Sequence, residues 1–201
     1  MRDNLIQGLK FVLGIIFIPV VIAVTYAFIK QLEGFSVHLR YGFHVGIIAY
    51  LILHLFVFEP KMFYGFGHRL VSEVFQFFAP VVNVAPYVIP IYTLLLIIFY
   101  FFAAMIAKAG ILWNTVYMFF ISFTLSMHLI FTSRNLRESD SNVVKPNYIF
   151  SMGWIYILNL AMVGVLLDLV MHQFSFPVFF ETTVKTSQFL YKMIMKQLFF
   201  S

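Results

Sequence analysis

Long apolar runs constrain what this chain can fold into more than any other feature. Phe11 to Ile29, Ile91 to Ala107, Ile111 to Thr132 and Tyr148 to Val170 are almost free of charge, and Tyr41 to Phe58 adds a fifth run. About 20 mostly apolar residues cross the roughly 30 Å hydrocarbon layer of a bilayer. Hydrocarbon offers the backbone no water, so each run is expected to satisfy its own N–H and C=O groups as a helix. The composition agrees, because 62% of the 201 residues are hydrophobic and 10% are charged, against about 25% charged in a soluble domain. The expected fold is all-α, a polytopic integral membrane helical bundle. No Gly/Ser or Pro-rich linker divides it, so residues 1–175 read as one membrane domain.

Met62 to Ala79 is apolar but interrupted by Gly65, Gly67, His68, Arg69, Glu73 and Gln76. Such groups are tolerated at membrane depth where they face protein or a wet cavity. This segment therefore either crosses or re-enters, and the expectation is five or six transmembrane helices. Residues 176–201 differ from the rest. Glu181, Lys185, Gln188, Lys192 and Lys196 recur at helical spacing among Val184, Phe189, Met193, Met195 and Phe199, which is the pattern of an amphipathic interfacial helix with a basic face.

Several function classes are excluded or disfavoured. Without cysteine there is no disulfide, iron–sulfur cluster or thiolate zinc site. The net charge of +5 is spread over loops and termini, which suits anionic lipid headgroups and gives no basic domain for nucleic acid. Phe11 to Ile29 is longer than the roughly 7 to 15 residues of a signal-peptide core, so it reads as an uncleaved anchor. With five spans the Lys/Arg residues divide seven against six, too evenly to orient the chain.

Four pieces in order carry a resemblance to a known family. Phe63-Tyr64-Gly65-Phe66-Gly67-His68 is similar to an aromatic-x-x-Gly-His lead into an H-E-x-x-H helix, and Asn83 to Leu94 is similar to an Ala-Pro-Tyr-x-x-Pro helix start. Met127-His128-Leu129 followed by Glu138-Ser139-Asp140, and Phe150-Ser151 with Ile155-Tyr156 and Asn159-Leu160, complete the set. Together, over about residues 58–167, they resemble a bacterial branch of the site-2 protease family, the intramembrane zinc metalloproteases. In that family two histidines and a distant group hold zinc while the glutamate activates water. Here Arg69 stands at the glutamate position and Ser72 at the second histidine. Arginine cannot accept the proton, and serine is a poor zinc ligand.

The resemblance therefore implies a degenerate member, with no catalytic residue, no metal site and no cofactor. Its motif positions are His68, Arg69, Ser72, Glu73 and Asp140. The expected function is binding or assembly of other membrane protein subunits in a bacterial cytoplasmic membrane, with Asn83, Pro86, Tyr87 and Pro90 as the partner or groove surface. One alternative is an atypical active metalloprotease with zinc on His68, Glu73 and Asp140. Another is a structural or haem-bearing accessory subunit using His54 and His128. Smaller expectations concern spacing: Arg69 with Glu73 and Asp168 with His172 are placed to pair, Thr115, Ser122 and Ser126 to join neighbouring spans, and Pro86 with Pro90 to break a helix start.

Overall fold

The computed structural model describes residues 2–56, 61–75, 85–106, 110–138, 146–171 and 173–199. Its elements are all helical: α1 (Arg2–Glu33), α2 (Val37–Phe56), α3 (Lys61–Val74), α4 (Ala85–Val88), α5 (Ile91–Ile106), α6 (Ile111–Glu138), α7 (Pro146–Met171) and α8 (Phe176–Phe199). Four of them, α1, α2, α6 and α7, contain stretches long and apolar enough to cross a bilayer. This is an integral, multi-pass membrane protein. Helix α5 is as apolar as any but has 16 residues, about 24 Å at 1.5 Å per residue. It matches the run expected at 91–107 as far as the described residues go, Ala107 lying outside them. Helix α3, at 14 residues, covers about 21 Å and stops at Val74. Phe75 follows it, and the remainder of the interrupted segment, 76–79, lies outside the described residues.

The helices form two compact units. The first contains α1, α7 and α8. Gly14 lets α7 approach closely, since a Cβ there would stand 3.2 Å from the Phe150 backbone nitrogen. Phe17 packs on Phe150 and Trp154 with centroids 5.7 and 4.7 Å away, and Thr25 Oγ1 lies 2.9 Å from the Tyr156 hydroxyl. Residue numbers rise together along this contact, so α1 and α7 run parallel.

Helix α8 runs the other way along α1. The Ser175 N–H donates to Gln31 Oε1 at 3.0 Å, the Phe179 and Phe28 rings lie 6.3 Å apart, and the Tyr191 hydroxyl donates to the Ile16 carbonyl at 2.6 Å. Each residue down α8 answers one residue up α1. The helix expected to lie at the interface, 176–201, thus packs antiparallel along α1, and it is not among the four helices apolar enough to cross a bilayer. The face of α8 turned to α1 is built from Phe179, Thr183, Thr186 and Leu190, and hydroxyls such as those of Thr183 and Ser187 are absorbed by carbonyls one turn back.

The second unit contains α2 to α5 and most of α6. Its tightest seam is a small-xxx-small contact, the arrangement that lets membrane helices approach backbone to backbone. Gly42 and Gly46 on α2 lie against Thr115, Phe119 and Ser122 of α6. Beyond it, Tyr50, Tyr64, Met127 and Phe131 form a buried cluster. The hydroxyls expected to join spans do otherwise: Thr115, Ser122 and Ser126 bond carbonyls of their own helix. Thr93 and Thr124 do bond across helices, with Oγ1 atoms 3.0 Å apart.

Candidate functional site

The site gathers around the break between α4 and α5. Pro90 has no N–H, and α5 begins just after it, with the Leu94 N–H donating to the Pro90 carbonyl at 3.0 Å. The Ile91 N–H, which a continuous helix would direct to the Tyr87 carbonyl, bonds Ile89 instead. The Tyr87 carbonyl is thereby freed from helical pairing. In an apolar interior a freed acceptor needs another donor. His128 of α6, 5% exposed, supplies it: Nε2–H donates to the Tyr87 carbonyl at 3.1 Å. The acceptor fixes this tautomer and leaves Nδ1 with its lone pair.

Helix α3 closes the other wall. Gly67 meets Tyr92 and Ile91 so tightly that a Cβ would stand 2.8 Å from the Tyr92 ring. Tyr64 stacks on Phe131 at 4.9 Å, and its hydroxyl is 3.3 Å from Thr132 Oγ1. The His68 ring stands edge-on to Tyr87 at 5.5 Å. His68 and His128 thus line one small cavity with Tyr64, Gly67, Pro86 and Tyr92, about 10 Å³ in volume, roughly the room one water requires.

The structure separates the expected motif positions. The Ser72 hydroxyl donates to the His68 carbonyl at 2.9 Å, a bond within one helical turn. Arg69 and Glu73 are exposed. Among the described residues no ion pair joins them, so the expected neutralisation is corrected: both side chains extend outward. Asp140, Asn83 and His172 lie outside the described residues. Pro86 and Pro90 are buried and Tyr87 is half-buried, so the prolines shape the break from inside. Sequence reasoning missed the meeting of His68 with His128, because the two lie 60 positions apart in the sequence and no spacing rule links them. It also missed Gly42-x-x-x-Gly46, whose signal was present.

Two imidazoles supply two of the three protein ligands that a catalytic zinc takes. Among the described residues no group of three or more His, Asp or Glu converges. His54 and His128 belong to one run of packed rings. His54 stacks on Tyr50 at 5.9 Å and meets the edge of Phe131, which stacks on Tyr64, and Tyr64 in turn adjoins His128. What the arrangement does is hold four helical segments together around a broken backbone. Comparison with protein-family models, with curated proteins and with solved structures returns no match.

Proposed function

We propose that this chain is a non-catalytic membrane protein that binds or assembles membrane partners through α3, on a helical framework of site-2 protease type in a bacterial cytoplasmic membrane. One observation carries the reading. The polar groups of the motif region are committed to framework bonds, His128 to the Tyr87 carbonyl and Ser72 to the His68 carbonyl, while Phe66, Arg69 and Glu73 stand exposed on one stripe of α3. Aromatic and arginine side chains dominate binding hot spots, and an unneutralised Arg–Glu stripe gives a partner both charges to answer.

The directions of the helices support a finer topology. If α3 does not cross, the apolar crossings are α1, α2, α5, α6 and α7, and alternation makes α1 and α7 parallel, the orientation in which they pack. A sixth crossing by α3 would make them antiparallel. Helix α8 then returns beside α1. Arg2, Lys10, Lys61, Arg69, Arg134, Arg137, Lys145, Lys192 and Lys196 fall on one side of the membrane, and Lys30, Arg40 and Lys108 on the other, with Lys185 beside Ile22 and Tyr26 of the α1 run. Nine against three is a clear positive-inside bias, where a chain without the return gave seven against six. Both termini and the α3 stripe are cytoplasmic in this reading.

The test uses the absence of native cysteine. Single cysteines at Phe66 and Arg69 are crosslinked in native membranes, followed by purification in mild detergent. A discrete crosslinked partner, lost on Arg69→Ala in a chain labelled at Phe66, is expected. A lone monomer with no specific crosslink refutes the binding surface. Labelling of Lys196→Cys from the same vesicle face as Lys10→Cys tests the topology separately.

A further inference from the structure

A groove runs along the seam of α1 and α7, the two helices of the first unit that are long and apolar enough to cross a bilayer. Phe17 and Val21 of α1 line it with Ile149, Met152 and Gly153 of α7, and its volume is about 320 Å³. Two glycines shape it in opposite ways. At Gly14 the helices meet, whereas a Cβ at Gly153 would reach Val21 only at 3.7 Å, an ordinary contact distance. The missing side chain of Gly153 therefore leaves open room. Farther along the seam, Tyr156 lines the groove with its hydroxyl proton already engaged, because Thr25 Oγ1 donates to the Val21 carbonyl at 2.8 Å and so accepts from Tyr156 at 2.9 Å.

We infer that this groove binds one phospholipid with an anionic headgroup, an acyl chain lying along the seam and the phosphate held at Lys10. The surroundings assign the chain. Ile18 and Ile149 on the rims are exposed, so on two crossing helices the groove opens onto hydrocarbon, and an apolar groove holds no water. From Gly14 to Val21 is seven residues, about 10 Å at 1.5 Å per residue. That is a slot for one extended chain, too narrow for a helix some 10 to 12 Å across. Lys10 assigns the headgroup. It stands four residues before Gly14 and seven before Phe17, hence on the groove face of α1, and it is half-buried at the edge where the apolar run begins with Phe11. An ammonium extended from there to the headgroup layer favours anionic lipid. The inference uses α1 and α7 alone and stands whether or not α3 binds a partner.

The experiment uses Trp154, which packs on Phe17 at 4.7 Å and is the sole tryptophan of a full-length Trp113→Phe chain. The protein is placed in phosphatidylcholine liposomes with a fixed fraction of lipid brominated in its acyl chains, either phosphatidylglycerol or phosphatidylcholine, and Trp154 quenching is read. Brominated phosphatidylglycerol should associate about fivefold more tightly than brominated phosphatidylcholine. Lys10→Gln should remove that preference, as should Gly153→Leu, which plugs the groove, while Gly153→Ala should keep it. Equal quenching by the two lipids, or a preference that survives either Lys10→Gln or Gly153→Leu, reduces the groove to ordinary boundary lipid and overturns the inference. A second measurement needs no substitution. Phosphatidylglycerol with a photoactivatable diazirine in its acyl chain should crosslink chiefly to residues 14–21 and 149–153, and crosslinks spread evenly over the apolar helix faces overturn the inference. So does efficient disulfide formation between two Ile18→Cys chains, which would put protein where the lipid is assigned.

Discussion

Gly46→Ala offers the sharpest test of the packing. A Cβ built at residue 46 would stand 2.1 Å from Ser122 Oγ and 2.2 Å from the Phe119 carbonyl oxygen, where ordinary contact begins at 3.4 Å. Ser122 can turn its hydroxyl away. The Phe119 carbonyl belongs to the backbone of α6 and cannot. Helices α2 and α6 must then separate by about 1 Å, which strips close contacts along the seam and puts the substitution at the upper end of overpacking costs, about 2 to 3 kcal/mol. Gly65→Ala is the matched control. Nothing lies within 4 Å of a Cβ at that position, so the same chemical change in the interior of α3 should stabilise the protein by about 0.5 to 1 kcal/mol through helix propensity. Reversible unfolding in mixed micelles with rising dodecyl sulfate, followed by circular dichroism, measures both. Shifts of opposite sign are expected. A Gly46→Ala protein as stable as the parent would mean that the α2–α6 seam is not packed backbone to backbone, and the reasoning from small residues would fall.

Three further outcomes follow from the site. His128→Leu removes the donor to the Tyr87 carbonyl and should cost about 1 to 3 kcal/mol in the same unfolding assay, with the loss concentrated in faster hydrogen exchange around residues 85–94. Tyr64→Phe deletes only the hydroxyl near Thr132 and keeps the stack on Phe131, so a smaller loss of about 1 kcal/mol is expected; a larger one would show the hydroxyl holding more than this bond. Purified protein should contain no stoichiometric zinc, because Arg69 and Ser72 replace the base and second ligand, and one zinc per chain lost on His68→Ala by elemental analysis would reverse the functional reading.

The long helices were legible because their signal is hydropathy summed over some 20 residues, and α1, α2, α6 and α7 each overlap one of the apolar runs. Helix α8 was legible as a helix and illegible in its placement. Its amphipathic spacing is equally suited to a headgroup surface and to a neighbouring helix. Threonine and serine on the α1-facing side disguise a packing surface as a polar one, since their hydroxyls bond their own backbone. Arg69 and Glu73 show the converse limit. Spacing of i and i+4 permits a pair, but side-chain orientation decides whether one forms. At the site, Pro86 and Pro90 announced a broken helix, while the donor that answers the break came from another helix with no local signature.

That answer has a consequence in time. The Tyr87 carbonyl leaves the ribosome 41 positions before the imidazole that caps it. Until α6 has been made and has come alongside, the broken segment carries an acceptor that hydrocarbon cannot satisfy. The nascent chain must therefore hold residues 85–90 where water or the insertion machinery can reach them, and commit them to the bilayer only when His128 arrives. The order of synthesis and the order of burial are thus offset, and the offset is set by a single side chain.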